Sequence, residues 1–157
     1  MTTTVKADIA TLQAATDLYE WGIEPLKSCR DIFLSLTLEP YSLSLLQKSA
    51  TQGGNVLGLE PTLGPLVSVL LLAFWESRED DERILTRLRE TLDEIDRDAA
   101  GRGTLVPFKY LNYAADFQDP IGSYGDENVL KLRNASKRYD PDGLFQKGVP
   151  GGWKLFT

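Results

Sequence analysis

Apolar residues recur along the first third of the chain at two periods, and the change of period marks the first boundary between elements. From Lys6 to Lys27 they fall at Ile9, Leu12, Ala15, Tyr19 and Ile23, spaced by three and four, which predicts a helix that Pro25 ends. Next, Ile32, Leu34, Leu36 and Leu38 alternate with Phe33, Ser35, Thr37 and Glu39. A period of two predicts a strand with one apolar and one mostly polar face, closed by Pro40. Residues 42–51 read as a short helix and the glycine-rich stretch from Gly53 to Pro65 as a long loop.

A second strand, Leu66 to Trp75, is apolar on both faces and should lie inside a sheet covered on both sides. The next helix has the clearest pattern. Ser77 stands at its N-cap with Asp80 at the third position, acidic residues fill the first turn, and Ile84, Leu88, Leu92, Ile95 and Ala99 form a stripe ending at Gly101. Residues 105–112 read as extended. Glu127 to Tyr139 is a further helix, stopped by the turn signal Asp140-Pro141-Asp142-Gly143, and the tail holds too many glycines for a helix. The result is an α+β chain with a small antiparallel sheet of two or three strands flanked by helices. A strand as apolar as Leu66–Trp75 cannot be an open edge without inviting another chain, so the sheet is expected to be completed by a second copy or another protein.

Composition narrows the chemistry. The 157 residues fit one domain, and they contain no histidine, one cysteine (Cys29) and one methionine. That excludes serine–histidine and cysteine–histidine nucleophiles, histidine-ligated metals and four-cysteine zinc sites, leaving proton chemistry to carboxylates, tyrosines and lysines. A net charge of −6 argues against nucleic acid and anionic membrane as partners. The longest apolar run, Pro65 to Trp75, is about half the ~20 residues of a membrane-spanning helix, and the N-terminus has no signal-like stretch, so a cytoplasmic location is the expectation.

The stretch from Phe108 to Leu155 resembles the C-terminus of fungal berberine-bridge-enzyme-like oxidases, FAD-linked oxidoreductases of the vanillyl-alcohol-oxidase superfamily. The residues that carry the resemblance are Tyr110, Asn112 and Tyr113 of a Tyr-x-Asn-Tyr signature, Asp119-Pro120, Tyr124-Gly125 with Asn128, Tyr139-Asp140-Pro141, Phe145-Gln146 and the closing Val149-Pro150-Gly151-Gly152. Upstream, the first helix, the LSLTLEP strand, the GGNVLGL loop and the PLVSVLLLAFW strand also look like that family. The resemblance implies residues 1–104 as the second half of a substrate domain and 105–157 as the segment that returns to the flavin, within one unit spanning 1–157. It implies no flavin-binding domain in this chain. No glycine-rich loop of diphosphate-cradling spacing precedes a helix, so no cofactor is expected on this chain alone, and FAD only where a separate flavin domain supplies it.

Carried over position by position, the resemblance implies that Tyr110 looks toward the active site and Asn112 toward the flavin. A tyrosine of ordinary pKa near 10 acts at neutral pH as an acid or polariser; the alternative is that Tyr110 and Asn112 only anchor the C-terminal segment. Glu39 is the second catalytic candidate. It shares a strand face with Phe33, Ser35 and Thr37, and a carboxyl desolvated by Tyr41 and Trp75 would serve as a general acid; the alternative is a solvated strand-end glutamate. Phe33, Ser35, Thr37, Tyr41, Asn112 and Tyr113 are the candidate substrate-binding residues. Lys109 should point to the face opposite Tyr110, Asn55 reads as an incidental contact of its loop, and Asp116, Gln118 and Asp119 as weak candidates to orient a ligand. The acidic run from Glu79 to Glu82 reads as helix-dipole stabilisation, and Trp21, Trp75 and Trp153 as core or interface anchors.

Three functions follow as expectations. The first is a flavin-free, homodimeric enzyme on an oxidase-derived scaffold, cyclising or isomerising a hydrophobic secondary metabolite by preorganisation and proton transfer. The second is a fragment or subunit of a FAD-linked oxidoreductase. The third is a non-catalytic binding protein.

Overall fold

The computed structural model describes residues 1–156. It is an α+β arrangement around one four-stranded, wholly antiparallel sheet with strand order β2-β3-β1-β4. The strands are β1 (Thr2–Lys6), β2 (Phe33–Tyr41), β3 (Leu66–Phe74) and β4 (Leu105–Val106). The alternation of apolar residues does not predict β1, whose run of three threonines and a valine has no hydrophobic period. Its signal is β-branching, which suits a pleated strand between two neighbours. This strand corrects the expected count and the argument built on it: β1 covers the side of β3 away from β2, so β3 is not an open edge. The open edges are the outer sides of β2 and of the two-residue β4, and only that of β2 is long.

One face of the sheet is closed by α1 (Ile9–Ile23) and α3 (Asp81–Gly101). The Asp8 carboxylate caps α1 by accepting from the Thr11 backbone N–H at 2.9 Å. The buried line of α1 is Thr11, Ala15, Tyr19 and Gly22, and Ile9, expected on that stripe, is 87% exposed. In α3 the expected stripe is met residue for residue, with Ile84, Leu88, Leu92, Ile95 and Ala99 all buried. They pack on Val5, Val67, Val69 and Leu71 of the sheet. Burying one such side chain contributes about 1.5–3 kcal/mol. Gly22 sets the closeness of the two helices: a Cβ there would stand 2.3 Å from the Thr91 Oγ1. Ser77 precedes a 3-10 turn, Arg78–Asp80, so the helix proper starts later than its expected cap, with Asp81 and Glu82 in the first turn.

The other face is closed by less regular chain. A second core of Leu46, Leu59, Leu66, Val106, Phe108 and Tyr124 joins α2 (Leu43–Thr51), the glycine-rich loop and the C-terminal segment. The Phe108 ring stacks on Tyr124 and meets Tyr41 edge-on, with centroids 5.8 and 6.0 Å away. Asn55 is more than an incidental contact: it holds the loop by donating to the Ser49 Oγ and the Leu59 carbonyl and accepting from the Leu57 N–H. Gly58 has a φ of 72°, and a Cβ there would come within 2.9 Å of the Tyr124 carbonyl oxygen.

Residues 105–112 are extended only in part, since β4 spans two residues and Leu111–Tyr113 is a 3-10 turn. Beyond the short β4, the Gln118 side chain takes over its role. Its amide accepts from the Thr2 N–H at 3.0 Å and donates to the Thr2 carbonyl at 2.7 Å, closing the edge of β1 as a strand would. Gln118 is thus a structural clamp rather than a ligand contact. The last helix, α4 (Asp126–Tyr139), has no fully buried residue, and the tail, expected without helix, forms a π-helical turn at Leu144–Gly148. Among the described residues no helix is long and apolar enough to cross a membrane.

Candidate active site

Strand pairing decides which side chains share the face opposite α1 and α3. Directly opposed residues of antiparallel strands point the same way. The pairs Glu39–Ser68 and Ser68–Thr4 put these three in one cross-strand row, beside Thr37–Leu70–Thr2 and Ser35–Leu72. A polar floor results. Thr2, Thr4 and Ser68 are fully buried, the Thr2 and Ser68 hydroxyls lie 3.1 Å apart, and the Thr4 Oγ1 has no hydrogen-bond partner.

Above the outer half of this floor stands a cluster of tyrosines. The Tyr113 hydroxyl donates to the Glu39 Oε1 at 3.0 Å, a contact between residues 74 positions apart. The Tyr110 ring meets Tyr113 edge-on at 4.8 Å, and the Tyr110 hydroxyl accepts from the Asn112 Nδ2 at 2.9 Å. Glu39, Tyr41, Tyr110 and Tyr113 are half-buried and Asn112 is exposed, so they form an open shelf rather than an enclosed cavity. Lys109 points away as its extended backbone requires, its Nζ 3.6 Å from the Asp96 Oδ2 on α3.

The electrostatics of the shelf raise two of its phenols, Tyr41 and Tyr113. The Tyr113 hydroxyl is raised above the ordinary tyrosine value by its hydrogen bond to Glu39 and by that carboxylate's charge. Burial, reinforced by Tyr110, Glu39 and Tyr113, pushes Tyr41 up to about 12. Burial also raises Tyr124. The raised phenols of Tyr41 and Tyr113 are thereby held as hydrogen-bond donors on the shelf.

Of the residues expected from sequence, the structure brings together Glu39, Tyr41, Tyr110, Asn112 and Tyr113, with Thr37 on the adjacent row. Two expectations fail on geometry. Trp75 cannot desolvate Glu39: Glu39 pairs with Ser68, seven residues back along β3, roughly 23 Å at about 3.3 Å per residue. Trp75 instead packs with the α1–α3 core and donates its indole N–H to the Asp81 Oδ1 at 2.6 Å. Phe33 lies on the correct face but six residues from Glu39, roughly 20 Å away, beside Phe74 at the exposed end of the strands. Ser35 stands between the two. The Tyr113–Glu39 pair itself carries no local sequence signal, because its partners come from β2 and from a turn across the sheet.

The shelf lies in a stretch shared with known proteins. The chain is similar to fungal FAD-dependent monooxygenases. It is 35% identical to the FAD-dependent monooxygenase FUP4 of Fusarium proliferatum, over 98% of this chain and 31% of that protein. It is 34% identical to the FAD-dependent monooxygenase drtC of Aspergillus calidoustus, over 99% of this chain and 30% of that protein. A bifunctional solanapyrone synthase of Alternaria solani is 33% identical over 78% of this chain and 23% of its own length. The chain thus spans a third or less of these relatives. No family model matches it, and no solved structure does.

A FAD cofactor of the kind those names imply can be tested against the helix N-termini, which are the usual seats of a diphosphate. They do not fit. The α1 N-cap is the Asp8 carboxylate, and the first turns of α3 and α4 carry Asp81 with Glu82 and Asp126 with Glu127. Negative charge at these ends repels a diphosphate. The exposed Asn112 amide beside Tyr110 is a place where a planar ring could be touched, but the described residues provide no cradle for the rest of the molecule.

Proposed function

We propose that this chain forms the substrate-facing acid–base wall of a FAD-linked oxidoreductase of the berberine-bridge-enzyme-like kind, with the flavin held by polypeptide outside residues 1–157. The observation that carries this reading is the Tyr113–Glu39 pair on an open shelf, within a chain that corresponds to about 30% of two FAD-dependent monooxygenases. A flavin held elsewhere would supply the redox chemistry. The residues here bind and move protons. Glu39 accepts a proton from a substrate C–H or O–H through the oxygen that Tyr113 leaves free, while the Tyr113 hydrogen bond fixes the carboxylate's aim. Because Asn112 donates to the Tyr110 oxygen, the Tyr110 hydrogen is left to polarise a substrate oxygen. Ser35 and Thr37 on β2 offer hydroxyls along the same face, and the neighbouring Leu72 offers apolar contact.

A second reading keeps the proton chemistry and drops the flavin: a cofactor-independent cyclase or isomerase of a hydrophobic metabolite. It is favoured by the donor and acceptor both belonging to this chain, and by the likeness to a bifunctional synthase. Purification from the native host separates the two. Flavin absorbance that co-purifies with the chain through a second polypeptide, or through a longer form of it, is the result expected from the first reading; colourless protein that still converts the metabolite overturns it in favour of the second. Under either, Glu39→Gln and Tyr113→Phe should lower turnover, Glu39→Gln by about 10²–10⁴-fold. Turnover unchanged in both variants would remove this shelf from the chemistry.

A further inference from the structure

The outer edge of β2 is nine residues long and unpaired, and its backbone polarity can be read from the other side of the sheet. Met1 and Leu71 exchange both backbone hydrogen bonds, at 3.0 Å each, so the odd-numbered residues of β3 turn their polar groups toward β1. The even-numbered residues of β3 therefore face β2, where they meet Phe33, Ser35, Thr37, Glu39 and Tyr41. What remains pointing outward from β2 is Leu34, Leu36, Leu38 and Pro40. Pro40, expected to close the strand, is accommodated inside it for this reason, since its nitrogen faces away from the pairing.

From this edge we infer that a second copy of the chain pairs with β2, antiparallel, about a two-fold axis at Leu36. The segment Leu34-Ser35-Leu36-Thr37-Leu38 is nearly palindromic. With Leu36 on the axis, Leu34 meets the partner's Leu38 and Leu36 meets the partner's Leu36, each pair exchanging both backbone hydrogen bonds. All three outward N–H groups are satisfied on each side. Ser35 falls opposite the partner's Thr37, a hydroxyl pair that favours cross-strand contact. Pro40 lies beyond the paired stretch. Shifting the axis to Thr37 instead sets Leu34 against the partner's Pro40, which has no N–H to donate to it, and brings the partner's Ser35 rather than its Phe33 opposite Glu39. No like charges meet, because Glu39 falls opposite the partner's Phe33.

The protection against such pairing is slight along the paired stretch: it has no lysine, the one carboxylate of β2 is engaged by Tyr113, and its one proline, Pro40, lies beyond the stretch. Apolar area is available beside it, with Phe33 57%, Leu38 40%, Phe74 60% and Leu45 of the adjoining α2 52% exposed. Covering part of this area in both copies together with the two backbones comes to about 1,000 Å² at most, the lower end for a specific interface, where reversible pairing is the expectation. The pairing also resolves the misplacement of Phe33. Within one chain it lies far from Glu39; across the axis, the partner's Phe33 stands beside it and gives the open shelf an apolar wall.

Sedimentation equilibrium of the full chain tests the pairing, independently of any activity. A species of about 35 kDa, twice the 17.5 kDa chain, should dissociate on dilution through the micromolar range. Leu38→Lys, at a partly exposed position, should weaken it at least about tenfold while leaving circular dichroism unchanged. Register is tested by oxidation: a mixture of Ser35→Cys and Thr37→Cys chains should cross-link, and either variant alone should not. A monomer at all concentrations up to about 0.1 mM, or a dimer that neither responds to Leu38→Lys nor cross-links in the mixture, overturns the inference.

Discussion

The two faces of the sheet are built on different principles. The face under α1 and α3 is dry and regular: leucine, isoleucine and valine from two helices and three strands, placed by simple periods and brought together by a glycine that lets the helices touch. The opposite face has a floor of threonine and serine, a lid of turns and side-chain clamps, and a carboxylate bound to a tyrosine from a distant segment. Stability resides mostly on the first, and the proposed chemistry is placed on the second. The division is physical: close-packed apolar contacts tolerate little movement, whereas a site needs polar groups that are partly unsatisfied and open to a ligand.

The largest expected effect lies on the dry face. Leu92→Ala should cost about 2–5 kcal/mol in chemical denaturation, through lost burial and the cavity left between α3 and the sheet. If it cost no more than Thr37→Ala on the polar floor, the asymmetry drawn here would be wrong. Gln118→Ala should come next, at about 1–3 kcal/mol, because it leaves both backbone groups of Thr2 unpaired beyond the end of β4. Hydrogen exchange offers a local check: the Thr2 amide should lose protection while α3 keeps its own.

The smallest effect is an alkaline one and samples both faces at once. Tyr19, beneath the helices, and Tyr41, on the shelf, are each raised from 10.0 to about 12, the first by burial alone and the second by burial with Tyr110, Glu39 and Tyr113 around it. A raised phenol favours the folded state fully below its unfolded value of 10.0, and that contribution is lost as pH rises from there toward about 12. Stability should therefore decline above pH 10, and two of the six tyrosines should titrate last by tyrosinate absorbance. Glu39→Gln should shift the Tyr41 transition downward and leave Tyr19 in place. Equal movement of both would show that the shelf does not act as a local electrostatic unit.

Much of the helix-covered face is legible in the sequence, since a period of 3.6 in α3 and of two in β2 reports which residues turn inward without knowledge of the partner element. Ile9 shows the limit of that reading. It fits the spacing of α1 yet faces solvent, because the helix meets α3 through Thr11, Ala15, Tyr19 and Gly22 instead. The missing strand shows another: Thr2–Lys6 has no alternation to detect, and its β-branched composition alone marked it. On the site face the residues themselves were legible, Glu39 by its strand position and Tyr110, Asn112 and Tyr113 by their motif. Their arrangement was not, and neither was the exclusion of Trp75 and Phe33 from it.

By itself the sequence determined the elements that depend on local period and the side chains left for any proton chemistry when histidine is absent and cysteine occurs once: carboxylates, tyrosines and lysines. Only the tertiary structure decided which carboxylate meets which phenol. A contact between β2 and a turn 74 residues away depends on strand order, and strand order here rests on β1 inserting beside β3, an event no local pattern encodes. The same insertion took β3 off the edge of the sheet and left β2 as its long edge. Local sequence fixes which way a side chain points; which strand lies next to it is settled by the packing of the whole chain.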